Sequence, residues 1–186
     1  ITNNILISKK SNGKNDGVYL KSCEGSFINR IVVANNMISD YDNFGNYQFI
    51  PFEIISSQFV DIIHNNVSVF PNTNTNASYS LYCEGGSNIR IRNNNLVNRA
   101  KNGYAAYIVN PSIIEQSDYN NFFTQGSSKF VYWGSEVTDT SNLKSVSSSN
   151  ENSLSVDPGY FNLIDLHTTS QDIVGKGTPI TSLPLD

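Results

Sequence analysis

The stretch "DIIHNNVSV", Asp61 to Val69, is an apolar run that halts on two asparagines and then resumes. Asparagine pairs recur at Asn3-Asn4, Asn35-Asn36, Asn94-Asn95 and Asn120-Asn121. The second residues of the pairs stand at 4, 36, 66, 95 and 121, so the intervals are 32, 30, 29 and 26, a drifting period. The flanks repeat with them. "FEIISSQFVDIIHNNV" (52 to 67), "LYCEGGSNIRIRNNNL" (81 to 96) and "YIVNPSIIEQSDYNNF" (107 to 122) align without a gap. An earlier copy, "LKSCEGSFINRIVVANNM" (20 to 37), needs a slip of a residue or two. Self-similarity at this spacing marks a solenoid, whose units bury their apolar face only by stacking.

The periodicity inside a unit says which solenoid. Phe52, Ile54, Val60 and Ile62 alternate with Glu53, Ile55, Asp61 and Ile63, and Leu81, Cys83, Ile89 and Ile91 repeat the alternation. Period two means strands. Each unit is one coil of short strands, and each strand pairs in parallel with its counterpart one coil on, about 4.8 Å away. The coil itself is the right-handed crossover that parallel pairing needs. The expected fold is all-β: a right-handed parallel β-helix of about five coils over residues 1 to 135, with a closing coil and C-terminal cap over 136 to 186. Asparagine suits the corners, because one corner residue needs a left-handed backbone and the amide can bond its equivalent in the next coil. Cys23 and Cys83 sit in matching "CEG" phrases, with Ile54 in the column between. Two rungs separate them by roughly 10 Å, beyond the reach of a disulfide, so both are expected as free, inward-facing thiols.

Composition agrees with strands and corners. Asparagine numbers 27 among 186 residues, while charged residues are only 15%, so polarity is carried by turn-forming side chains. A net charge of −4 provides no basic surface for phosphate, which excludes nucleic acid as a partner. No apolar run is long enough to span a membrane. The chain opens on Ile1 inside a repeat-like phrase, so it reads as a piece of something longer, with its N-terminal edge covered by missing coils or by another chain.

From about Ile113 the phrases become more particular: "SDYNNFF" (117 to 123), "VYWGSEVTDTSNLKSV" (131 to 146), "NSLSVDPGYFN" (152 to 162) and "DLHTTSQDIVGKGTP" (165 to 179). In this order they resemble the C-terminal portion of secreted bacterial right-handed β-helix proteins of the pectate-lyase-like superfamily. The resemblance rests on Asp118, Tyr119, Asn120, Trp133, Gly134, Asp157, Pro158, Phe161, Asp165, His167, Ser170, Gly175 and Gly177, and departs from the family at Gln171-Asp172. It implies a secreted or cell-surface protein associated with polysaccharide, any active site lying mostly outside this chain. Fold does not fix function here, since lyases, hydrolases, epimerases and phage tailspikes share the superfamily.

Candidate chemistry is sparse. Neither His64 nor His167 has zinc-like spacing, and no cofactor is expected. Asp40 and Asp42 in "SDYDNFG" resemble a calcium loop weakly, with Phe44 where a ligand belongs. A glycosidase needs two facing carboxylates, and no two of Glu53, Asp61, Glu84, Glu115 and Asp118 share a column of the alignment. A uronate lyase needs a base and a cation, for which Lys21, Arg90 and Arg92 are the candidates. Tyr82, outward between Glu53 and Ile108, could stack on a sugar. The alternatives are a complete small lyase and a non-catalytic stalk or adhesin module. Arg90 and Arg30 are also expected to flank Asp61 as a structural ladder, with Arg92 opposite Asp118.

Overall fold

The computed structural model describes residues 1–8, 13–40, 48–71, 76–125 and 127–180. After β1 (Ile5–Ser8), the first turn runs β2 (Asn15–Lys21), β3 (Ile31–Ala34) and β4 (Met37–Asp40); the second runs β5 (Phe49–Gln58), β6 (Val60–Ile63) and β7 (Asn66–Val69). The third holds β8 (Ser78–Tyr79), β9 (Leu81–Ser87), β10 (Ile89–Arg92) and β11 (Asn95–Asn98), and the fourth β12 (Gly103–Tyr104), β13 (Ala106–Ile108), β14 (Ile114–Asp118) and β15 (Asn121–Thr124). β16 (Val131–Trp133), β17 (Glu136–Val137) and the helix α1 (Thr140–Ser147) close the chain's regular structure.

Equivalent strands stack into three long sheets. They are a six-stranded sheet (β2, β5, β9, β13, β16, β17), a four-stranded sheet (β3, β6, β10, β14) and a five-stranded sheet (β1, β4, β7, β11, β15). Among these strands every pairing is parallel except β16 with β17. The protein is therefore a parallel β-solenoid of about 4 turns, one fewer than the repeat count suggested, because the chain reverses into β17 after β16 instead of completing a fifth.

Inward positions form columns: Leu20, Ile54, Cys83, Ile108 and Trp133 on one sheet, Ile38, Val67, Leu96 and Phe122 on another. Burying each large side chain contributes on the order of 1.5–3 kcal/mol. Leu143 of α1 is fully buried and closes the C-terminal end of this core. At the other end, a cleft of about 390 Å³ lies between β1 and β2, with Leu6, Gly17, Ile38 and Phe49 in its walls.

The corner between the four-stranded and five-stranded sheets carries a continuous amide ladder. Asn4 Nδ2 donates to Asn36 Oδ1 at 3.0 Å, Asn36 to Asn65 at 2.9 Å, Asn65 to Asn94 at 2.9 Å and Asn94 to Asn120 at 3.0 Å. Each acceptor oxygen also takes the backbone N–H of the preceding asparagine, and the second amide hydrogens of Asn65, Asn94 and Asn120 go to Val33 O, Ile62 O and Ile91 O. These buried amides thus have their hydrogen-bonding capacity filled, which is what burial demands.

The ladder is not made of the second residue of every pair. It uses the second in the first two coils and the first in the last three, where the other member opens the following strand. The left-handed residue is always the one before the ladder: Asn3, Asn35, His64, Asn93 and Tyr119, with φ between 55° and 58°.

Cys23 and Cys83 are unbridged, but only Cys83 is buried. Leu20, not Cys23, shares the column of Ile54 and Cys83, so the two "CEG" phrases are out of register by three residues. The extra turn at Ser26–Asn29, closed by Ser26 N–H to Asn29 O at 2.9 Å, absorbs the difference.

Candidate functional site

The outer face of the six-stranded sheet concentrates aromatic and acidic side chains. Strand alternation sends Tyr19, Glu53, Tyr82, Tyr107 and Tyr132 outward in one continuous row across β2, β5, β9, β13 and β16. Tyr82 is thus followed by Tyr107 and not by Ile108. The gapless alignment slipped one residue there, and a one-residue slip exchanges the two faces of a strand.

Tyr107 is the hub of five rings. It stacks on Tyr132 at 4.3 Å and 8°, on Tyr82 at 5.6 Å and 15°, and meets Tyr79 and Tyr104 edge-on at 4.9 and 5.2 Å. Such contacts add about 0.5–1.5 kcal/mol each beyond area burial. Stacking spends the ring faces on one another, so the row offers ring edges and hydroxyls outward. The hydroxyls of Tyr79, Tyr107 and Tyr132 have no hydrogen-bond partner among the described residues.

Charges bracket the rings. Tyr82 donates to Glu84 at 2.8 Å and Tyr104 to Glu136 at 2.7 Å. Burial, and then the bond to Glu136, push the Tyr104 phenol up to about 12, so it stays a donor at any physiological pH. Lys129 reaches Glu136 at 3.1 Å and lies 5.6 Å from the Tyr104 ring centre. At the opposite end Lys14 bridges Asp16, at 3.6 Å, and Glu53, and stands over Tyr19. Burial, and then the charge of Glu53, raise the Asp16 carboxyl.

The Asp16 and Glu53 pairing was missed in the sequence because the strands align Leu20 with Ile54, an offset of 34 instead of the 29 seen between β6 and β10. Matching the alternation of Val18 and Leu20 to that of Phe52 and Ile54 would have found it.

The four-stranded sheet carries the arginines. Arg90 lies in register with Asp61, as the repeat implied, but its guanidinium bonds Glu115 at 2.6 Å. Arg30 takes Asp61 instead, Nε to Oδ1 at 2.7 Å, and reaches Glu115 with Nη1 at 3.0 Å. The bond from Arg90, opposed by burial and helped by Arg30, holds the Glu115 carboxyl below its usual range. Arg92 is in register with Asp118, yet no ion pair forms, because Asp118 accepts from the backbone N–H groups of Tyr119 and Asn152 and from the Asn152 amide.

Lys21 lies in the six-stranded sheet in register with Ile55, whereas Arg90 and Arg92 belong to the four-stranded one. The three lyase candidates therefore fall on different faces.

Asp40 is fully buried at the end of β4, where Oδ1 accepts the Phe70 N–H at 2.7 Å. Asp42 falls outside the described residues. Among the described residues no group of three His, Cys, Asp or Glu side chains converges as a metal site would require. His64 occupies its left-handed corner 3.1 Å from the Asn93 amide, and His167 bonds Asp165 on the exposed cap. No helix among the described residues is long and apolar enough to cross a membrane. No family model, curated protein or solved structure matches this chain.

Proposed function

We propose that the protein is part of an extracellular, carbohydrate-associated β-helix, and that the tyrosine row of the six-stranded sheet is its polysaccharide-binding face. The observation that carries this reading is the outward line of Tyr19, Glu53, Tyr82, Tyr107 and Tyr132 across consecutive rungs. A sugar chain presents hydroxyl edges and C–H faces together, and such a chain is met by phenols interleaved with carboxylates. The unpartnered hydroxyls of Tyr107 and Tyr132 supply donors, and Glu84 and Glu136 supply acceptors. The surface is linear, as a polymer ligand requires. The pectate-lyase-like resemblance of the C-terminal phrases points to the same ligand class and to work outside the cell. Catalysis is not part of this reading.

One observation favours a non-catalytic stalk instead: the 4.3 Å stack of Tyr107 on Tyr132 makes a self-sufficient ladder. A glycan array separates the two. The binding reading expects retention on at least one polysaccharide class, weakened at least tenfold by the double variant Tyr107→Phe/Tyr132→Phe at unchanged melting temperature, since only hydroxyls are removed. Binding that survives the double variant, or no glycan retained by the wild type, favours the stalk.

A further inference from the structure

We propose that the four-stranded sheet carries a second site, an oxyanion-binding site centred on Arg92 that takes a carboxylate or sulfate group. It lies on a different sheet from the tyrosine row and does not depend on it.

Three guanidinium groups, Arg30, Arg90 and Arg92, share this sheet with three carboxylates, Asp61, Glu115 and, one rung from Arg92, Asp118. The first two are already engaged by arginine. Asp61 is held by Arg30 Nε at 2.7 Å, and Glu115 is held from two sides, by Arg90 Nη2 at 2.6 Å and Arg30 Nη1 at 3.0 Å. Arg30 completes its fork on the backbone carbonyls of Val60 and Asn88. Arg92 is therefore the one guanidinium of the three that is left without an ion pair.

The side chain of Arg92 makes no hydrogen bond among the described residues, and its Nε is buried without a partner there. In register on one side stands Ile63, 1% exposed, which offers nothing polar. On the other side stands Asp118, whose oxygens accept from Tyr119 N–H at 2.9 Å, Asn152 N–H at 2.8 Å and Asn152 Nδ2 at 2.8 Å. Burial lowers the pKa of Arg92; the attraction of Asp61 opposes it, and the like charges of Arg90 and Arg30 add to it. A buried donor without an acceptor is a standing demand for one. A planar guanidinium matches the two oxygens of a carboxylate or sulfate, which it grips in a fork that lysine cannot form. The chain's net charge of −4 makes a nucleic-acid phosphate a poor occupant.

The test is a titration followed by the arginine Nε–H signals in NMR spectra of the whole chain, at constant ionic strength, with three probes: sodium sulfate, a uronate oligosaccharide and a neutral oligosaccharide of equal length. The expected result is a saturable shift of the Arg92 and Arg90 signals with sulfate and with the uronate, and none with the neutral sugar. A dissociation constant for the uronate at least tenfold below that for sulfate identifies a polymer-borne acid group; equal constants identify a free anion. In Arg92→Gln the Arg90 signal should no longer respond. Arg92→Lys, which keeps charge and bulk, should bind about tenfold more weakly, and it serves also should the glutamine variant not fold. A linear, unsaturating shift overturns the proposal, as does saturation that survives in both variants.

Discussion

Asn65 stands mid-ladder, and its side chain is bonded to both neighbouring coils at once. Replacing it with leucine keeps the volume but strands the backbone and side-chain donors of Asn36 and the carbonyl of Val33. A loss of about 3 kcal/mol is expected in urea unfolding, because several buried groups lose partners together. Its sequence neighbour Asn66 accepts one bond, from the Asn95 amide at 2.6 Å, and Asn66→Ala should cost under about 1 kcal/mol. The contrast separates the two members of the pair, which the sequence could not. That asparagines post the corner was legible from their recurrence beside apolar positions. Which asparagine turns inward was not, since "NVSV" alternates equally well in either frame. Nothing marked His64 and Tyr119 as left-handed, because neither residue type favours that backbone region and the neighbouring coils impose it. The triplet Asn93-Asn94-Asn95 was the available clue, for it fills all three roles at once.

Among the strands, β9 shows how closely successive coils approach. Gly86 has φ of +89°, and a Cβ there would lie 1.9 Å from the carbonyl oxygen of Ser57 in β5. Backbone against backbone leaves nothing flexible to yield, so Gly86→Ala should cost about 3 kcal/mol or more. In a chain of this size that lowers the melting temperature by about 6–12 °C, readable by circular dichroism. Gly13→Ala, with nothing within 4 Å, should leave it nearly unchanged. The strands themselves were visible as period-two runs; their register was visible only where the loops have equal length. Arg90 was correctly set against Asp61 because β6 and β10 are separated by a constant offset. Tyr82 was set against the wrong partner because the coil carrying β13 is shorter, and only the inward preference of Ala106 and Ile108 reveals that Tyr107 faces out. The aromatic row and the Asp16–Glu53 pair were hidden by the same cause, offsets that differ from coil to coil.

At the scale of the whole molecule, the acid–base balance is tilted by one interior group. Burial, opposed by the Phe70 N–H bond, raises the Asp40 carboxyl from 3.8 to about 7, and its Oδ2 has no partner among the described residues. Between about pH 4 and pH 7 the unfolded chain has released this proton while the folded one retains it. Stability should therefore fall as pH rises through that window and level off above it, by an amount on the order of a few kcal/mol. Glu115, whose pKa is lowered, acts in the opposite sense but only below its ordinary range, outside the window. Asp16 is raised in the same direction, so urea midpoints at pH 5 and pH 8 should differ in the wild type and draw closer in Asp40→Asn; an unchanged difference in the variant would sink the assignment. The amide ladder, finally, fixes the grain at which this chain can change length. Every coil passes the same gate, a left-handed residue followed by an inward amide, so Asn65 and Asn94 are interchangeable splice points. Excising 66–94 joins Asn65 directly to Asn95, seats β5 on β13 and β6 on β14, and leaves the ladder unbroken from Asn36 to Asn120, in a body one rung, about 4.8 Å, shorter. Cuts that ignore the gate sever the ladder. Insertion and deletion in such a protein are quantised, and the quantum is one full lap of the backbone.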